Sequence, residues 1–251
     1  MSVAGSTSRD SILKKLRNGL AGAQSVFRDK HDPDDAVSVP SAVTNAVGSR
    51  EEIARAFGEN LEAVLGSYEI VKHPSEVAVS IAARIVGWRA ENDGVESYGR
   101  ELLSWAPAEL PIPDLGQQLA QQGIELFVPS ALDNKDQRAH SASLNVGLTG
   151  IDAAFAGTGS MVLLPGPGKS RAASLLPLHH IALIPISRIY ETFESWLAEL
   201  RSRQTLEELF RDNAQVAFIT GPSKSADIEL NLTLGVHGPR DVHAIVFDDG
   251  E

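Results

Sequence analysis

Apolar and polar positions repeat with two different periods along this chain, and the expected elements follow from which period holds. Over residues 7–22, Ile12, Leu13, Leu16 and Leu20 fall on one stripe at helical spacing, with Lys14, Lys15 and Arg17 elsewhere on the surface. That predicts a short amphipathic helix. From Asp29 to Ser49 the pattern dissolves into Pro33, Pro40, Gly48, clustered Asp and small residues, a linker composition. Ser49 with Glu52 three residues on is a capping box, opening a helix to about Leu65. Tyr68–Val71 reads as a short strand, and Pro74 opens a helix through Val77, Ile81, Ile85 and Trp88. Between Asn92 and Pro113, where Trp105 and three prolines fall, no period holds and a surface excursion is expected. Leu115–Gln122 predicts a helix stopped by Gly123, and Ile124–Val128 a strand.

From Asn145 onward short apolar runs alternate with helical spacing. Val146–Thr149, Ser160–Leu164, Ile181–Ile184, Val216–Ile219 and Val242–Phe247 read as strands. A turn of helix is expected over Asp152–Phe155. A longer helix capped by Ser187 should run through Tyr190, Phe193, Leu197 and Leu200, with another turn or two over Leu206–Phe210. After Gly221-Pro222, the short oxygens of Ser223, Ser225 and Asp227 suit a helix N-terminus, followed by Ile228, Leu230, Leu232 and Leu234. Strands separated by helices predict an α/β protein with a mainly parallel sheet covered on both faces. The organisation expected is an N-terminal helix and linker over 1–48 and one α/β domain over 49–251.

Composition narrows the function classes. With 251 residues, 43% of them hydrophobic, the chain can bury a sizeable core. A net charge of −11 argues against a nucleic-acid partner, which needs clustered cations. Residues 1–30 go against this trend, holding six basic side chains and two acidic ones. That favours docking of the basic helix on an acidic body or on a second copy over a membrane surface. There is no cysteine, hence no thiolate for an iron–sulfur cluster, no disulfide and no thiol nucleophile. No apolar run reaches the length of a membrane span, and the start lacks an apolar signal core, so a cytoplasmic protein is expected.

Several residues could carry chemistry. Pro165-Gly166-Pro167-Gly168-Lys169-Ser170 mimics a phosphate loop. The first glycine of that motif would fall on Leu163, and Pro167 removes a backbone donor, so it reads as a decoy. Thr158-Gly159-Ser160 offers two hydroxyls before a strand, equally the makings of a plain turn. His179 and His180 alternate along a strand and cannot readily share a metal, and no histidine or carboxylate cluster has metal spacing. One of the two is expected in the core and the other at the sheet's edge. Asp227 and Glu229, two apart on an expected helix, cannot form a paired-carboxylate site alone; Asp227 is a helix cap, or an acceptor for a ligand hydroxyl or an orienting partner for His237. His237, flanked by glycines, is a turn residue or an exposed acid–base group.

Two blocks carry a family resemblance. One is Gly221-Pro222-Ser223-Lys224-Ser225-Ala226-Asp227-Ile228-Glu229 with Gly235-Val236-His237-Gly238-Pro239. The other is Gly147-Leu148-Thr149 with Ala156-Gly157-Thr158-Gly159-Ser160, then Arg171 and Leu175–His180. Together they resemble the LUD domain family, with Gly157 standing where that family usually has an acidic residue. The resemblance implies a three-layer α/β/α fold like that of the NagB/RpiA/CoA-transferase group. It also implies work in L-lactate utilization, oxidising L-lactate to pyruvate beside iron–sulfur partner proteins, with no cofactor in this chain. The alternative is a stand-alone enzyme or binding protein for a phosphorylated or CoA-linked ligand. The site residues implied are His237 and Asp227 for catalysis. A small 2-hydroxy acid would be bound by Thr158, Gly159, Ser160, Arg171, His180, Gly221, Pro222, Ser223, Ser225, Glu229 and Gly238. They are expected to converge at the carboxyl edge of the sheet, where open α/β sheets bind ligands.

Overall fold

Helix α1, Arg50–Ala63, begins where its capping box places it. Ser49 Oγ accepts the Glu52 N–H at 3.3 Å and the Glu52 carboxylate accepts the Ser49 N–H at 2.6 Å, satisfying donors that a helix start otherwise leaves open. Ala54, Phe57 and Leu61 recur at helical spacing and are fully buried. The structure, a computed structural model, describes residues 12–15, 17–18, 48–91, 98–130, 134–213, 215–226 and 232–250. The chain divides into two units, Met1–Ala42 and Val43–Glu251. In the first, residues 12–15 and 17–18 are helical. Leu16, Leu20 and nearly all of the expected linker lie outside the described residues.

Among the described residues the strands are, in chain order, β1 Ser67–Val71, β2 Glu101–Ser104, β3 Glu125–Phe127, β4 Val146–Gly150, β5 Ala153–Phe155, β6 Ser160–Leu163, β7 His179–Pro185, β8 Ile189–Tyr190, β9 Ala217–Ile219, β10 Lys224–Ala226, β11 Leu232–Leu234 and β12 Asp241–Phe247. The main sheet runs β1-β12-β7-β4-β2-β3, and every pairing in it is parallel. β4 and β7 are buried at every residue, as strands covered on both faces must be. The side chains of β1 show what covers each face. Tyr68 lies against Gly58 of α1, where an added Cβ would come within 2.1 Å of the ring. Ser67 and Glu69 point the other way, to Arg84 and Ser80 of α2, Val77–Glu91. Helices on opposite faces of a parallel sheet make the expected α/β/α sandwich. Further helices are α3 Leu115–Gln121, α4 Lys135–Ser143, α5 Phe193–Ser202 and α6 Leu206–Asp212.

A second sheet, β8-β5-β6-β9, is mostly antiparallel and closes over a smaller core of Ala153, Phe155, Val162 and Trp196. β10 and β11 form a separate antiparallel pair. Among the described residues no helix is long and apolar enough to cross a membrane.

Four expectations need correction. The excursion expected over 92–113 contains β2, whose Leu102 and Leu103 are fully buried, and Trp105 is buried beside it. A four-residue strand covered on both faces shows no alternation to find. Ala153–Phe155 is a strand paired with β6, not a helical turn, since three residues are too few for a period to show. Ser187 does not cap the long helix. Tyr190 is extended in β8, and α5 starts after Thr192, which forms a capping box with Ser195. The segment after Gly221-Pro222 is no helix start at its described ends, because Lys224–Ala226 and Leu232–Leu234 pair as strands. Leu230, Leu232 and Leu234 recur every second residue, which is the strand period. α4, capped by Asn134 through Asp136 N–H at 2.8 Å, was not expected at all.

Candidate functional site

The two signature blocks meet through a chain of hydroxyls. The exposed Thr158 Oγ1 donates to Ser160 Oγ at 2.9 Å, and Ser160 Oγ lies 2.8 Å from Thr220 Oγ1, next to Gly221. β6 and β9 bring them together by pairing Met161 with Ile219. Both glycines sit where a side chain would not fit. Gly159 has φ +62° and an added Cβ would lie 2.3 Å from the backbone nitrogen of Leu61; Gly221 has φ +71° and the same atom would lie 2.5 Å from the Val64 carbonyl oxygen. The last turn of α1 is therefore their common floor. Asn60 closes it by donating to the Ala156 carbonyl at 2.9 Å.

Pro222 is buried, and Ser223 then meets the second half of its own block. Ser223 N–H donates to the Pro239 carbonyl and Gly235 N–H to the Ser223 carbonyl, both at 2.9 Å. A Cβ on Gly238 would stand 3.3 Å from Ser223 Cβ and 3.8 Å from Leu175. His237 is exposed between them, and Ser225 is half-buried, opposite Thr233 in the β10–β11 pair. Asp227 and Glu229 lie outside the described residues. Arg171 is exposed and donates to Gln215 Oε1 at 3.3 Å, away from the hydroxyl chain.

This gathering lies at the amino edge of the main sheet, and the carboxyl edge expected for it is overturned. Pro239 and Arg240 lead directly into β12, Leu175–Leu178 lead into β7, and Arg240 N–H donates to the Leu178 carbonyl at 2.8 Å. Both strands are parallel, so both begin here.

Neither member of the histidine pair reaches a cleft. His180, expected among the binding residues, is fully buried, with Nε2 2.8 Å from Thr149 Oγ1 and Nδ1 unpartnered. Burial pushes its imidazole down to about 4, so it stays neutral at pH 7. His179, also fully buried, stacks on Trp88 with ring centroids 4.2 Å apart. Its Nδ1 stands 2.8 Å from Asp241 Oδ2 and its Nε2 bonds the Tyr98 hydroxyl. Arg240 Nε reaches the same Asp241 oxygen at 2.9 Å. Burial pushes the Asp241 carboxyl up, but the bonds from His179 and Arg240 outweigh it and leave it below its ordinary value. Burial pushes the Tyr98 phenol up to about 12. A second network beside it joins His243 to Ser67 at 2.8 Å and to Glu69 at 3.1 Å. The His243 bond is the foremost cause holding the Glu69 carboxyl below its ordinary value. Sequence reasoning missed Trp88, Tyr98, Asp241 and His243. For Asp241 and His243 the available signal was polar residues at strand positions whose neighbours are apolar.

The carboxyl edge is organised differently. Lys169, the cation of the false phosphate loop, is held 3.0 Å from Asp152 and 5.2 Å above the Trp105 ring. Gly166 and Lys169 close that loop as a tight turn by exchanging backbone bonds of 3.3 and 3.0 Å. Beside it, a cavity of about 410 Å³ is lined by Asp152, Ser187, Arg188, Tyr190, Trp196 and Glu199, among others. Among the described residues no three or more His, Asp or Glu gather at metal-binding distance.

The sequence pattern of the LUD domain matches residues 54–247, a span that includes both signature blocks and both sheets. The chain belongs to the LUD domain family. Among LUD domain relatives, "Lactate utilization protein C" of Halalkalibacterium halodurans is 34% identical over 64% of this chain and 69% of its own length. The protein of the same name from Exiguobacterium sp. is 30% identical over 84% of this chain and 99% of its own. A crystal structure of a DUF162 family protein from Deinococcus radiodurans covers 80% of this LUD domain chain and 99% of its own. Its TM-score is 0.55 at 21% identity, a likeness of fold.

Proposed function

We propose that this chain is a component of a cytoplasmic L-lactate utilization system. In that system L-lactate loses two electrons and two protons to become pyruvate, and the electrons pass to iron–sulfur partner proteins. The carrying observation is the Exiguobacterium relative named "Lactate utilization protein C", which aligns along nearly its whole length. The absence of cysteine supports the division of labour, since thiolates for any cluster would come from the partners. For the small 2-hydroxy acid we favour the amino-edge patch. There the exposed Thr158 hydroxyl is linked through Ser160 to Thr220 beside the Gly221 turn and can hold the acid, and the exposed His237 can take a proton from the substrate hydroxyl. Asp227 would orient that histidine.

Deleting the gene tests the reading. Growth on L-lactate should be lost, growth on pyruvate retained, and the full chain should restore the former. Unimpaired growth on L-lactate, or equal loss on both carbon sources, would contradict it.

A further inference from the structure

The carboxyl-edge cavity is built from three parts of the chain that leave parallel strands. Asp152 follows β4, Ser187 and Arg188 follow β7, and α5 and α6 supply the outer wall with Trp196, Leu200 and Leu209. In open parallel sheets this edge is where ligands meet the chain. Its volume of about 410 Å³ falls within the roughly 300–1,000 Å³ of small-molecule sites.

Each carboxylate of the lining already has a cation beside it, and Ser187 is held by Asp249. Asp152 is paired with Lys169 at 3.0 Å and also accepts the Leu164 N–H at 2.7 Å. Glu199 is paired with Arg203 at 2.7 Å. Arg188 is half-buried and pairs with no carboxylate among the described residues; its guanidinium donates to the Ile151 carbonyl through Nη1. A guanidinium withdrawn from water with donors to spare favours a carboxylate, whose two oxygens match its fork. Tyr190 adds a phenol that burial, and then Glu199, to which it hydrogen-bonds, keep protonated. The opposite wall is apolar, with Leu164, Trp196, Leu200 and Leu209. That wall rests on the small core of the second sheet, so it is rigid support rather than loose loop.

We infer that this cavity binds an organic carboxylate with an apolar body, the carboxylate on Arg188 and the body against Trp196 and Leu200. The site is separate from the amino-edge patch, and the inference does not rest on the lactate reading.

Titration calorimetry of the full chain with 3-phenylpropanoate, acetate and phenyl phosphate tests it. 3-Phenylpropanoate should bind, acetate at least tenfold more weakly, and Arg188→Gln should weaken 3-phenylpropanoate about tenfold or more. Arg188→Lys, which keeps the charge but not the fork, should fall between, and it serves as the variant if Arg188→Gln fails to fold. His237→Ala, at the other edge, should leave the binding unchanged. No heat with 3-phenylpropanoate, unchanged binding in the Arg188 variants, or binding of phenyl phosphate alone would overturn the inference.

Discussion

The two edges of the main sheet use their residues in opposite ways. At the amino edge, where β4, β7 and β12 begin, polar groups are spent on one another: His179 on Asp241 and Tyr98, His180 on Thr149, Ser160 on Thr220. Glycines there let backbone touch backbone. At the carboxyl edge a cavity stays open, and Arg188 pairs with no carboxylate among the described residues. The difference bears on how motifs are read. A run rich in glycine and histidine marks a place where the chain must pack without Cβ atoms, which is a structural demand before it is a chemical one. Exposed members of such a run, Thr158 and His237 among them, are the ones free to act on a ligand.

The largest effect should come from Gly147→Ala, whose Cβ would fall 1.8 Å from the Ala173 carbonyl oxygen. Neither atom can move without shifting β4, so folded, soluble protein should hardly accumulate. Next comes Gly159→Ala. It combines a left-handed backbone, at about 1–2 kcal/mol, with a clash against α1, so about 3 kcal/mol in all is expected. Thermal melting should drop by roughly 6–12 °C. Gly123 has φ +72° but open space around it, so Gly123→Ala should lose only about 1 kcal/mol. Equal drops for Gly159→Ala and Gly123→Ala would break the claim that the amino edge is fixed by close approach.

His180 gives the amino edge a pH signature. Its folded value near 4 lies below the ordinary 6.5, so below pH 6.5 the unfolded chain takes up a proton that the folded chain refuses. Stability should fall as the pH drops from 6.5 towards 4, by roughly 3 kcal/mol in all. Asp241 and Glu69 act lower down. Their depressed values contribute stability above the ordinary carboxylate range, and it is lost as the pH falls below about 4 through the folded values. Urea unfolding across this range should show the upper slope flattened in His180→Gln, and an unchanged slope would remove the buried histidine from the account.

The fold was largely readable because its signals are local. The Ser49–Glu52 box, the Gly123 stop and the apolar runs of β4, β7 and β12 each announce themselves within a few residues. β2 and β5 escaped, being too short to show a period and lacking polar alternation. The motif blocks were legible as a gathering, since Thr158, Ser160 and Gly221 do come together. Their edge was not, because the position of a loop relative to a sheet depends on which strands pair, and β9 joins the second sheet rather than the main one. Arg188 and Asp152 were illegible as partners in one cavity, for they are 36 residues apart in the chain and belong to no short motif.

The smallest effect on stability belongs to His237→Ala, and it carries the most weight. An exposed side chain in a turn leaves no cavity when truncated, so the melting temperature should stay within about a degree of the parent. If His237 moves the substrate proton, turnover should fall about a hundredfold or more, the scale of general acid–base help. Growth on L-lactate of the deletion strain carrying His237→Ala, measured beside the melting of the purified variant, tests this directly. The account predicts a parental melting temperature with growth lost on L-lactate and kept on pyruvate. Normal growth on L-lactate, or a collapsed melting temperature, would contradict it.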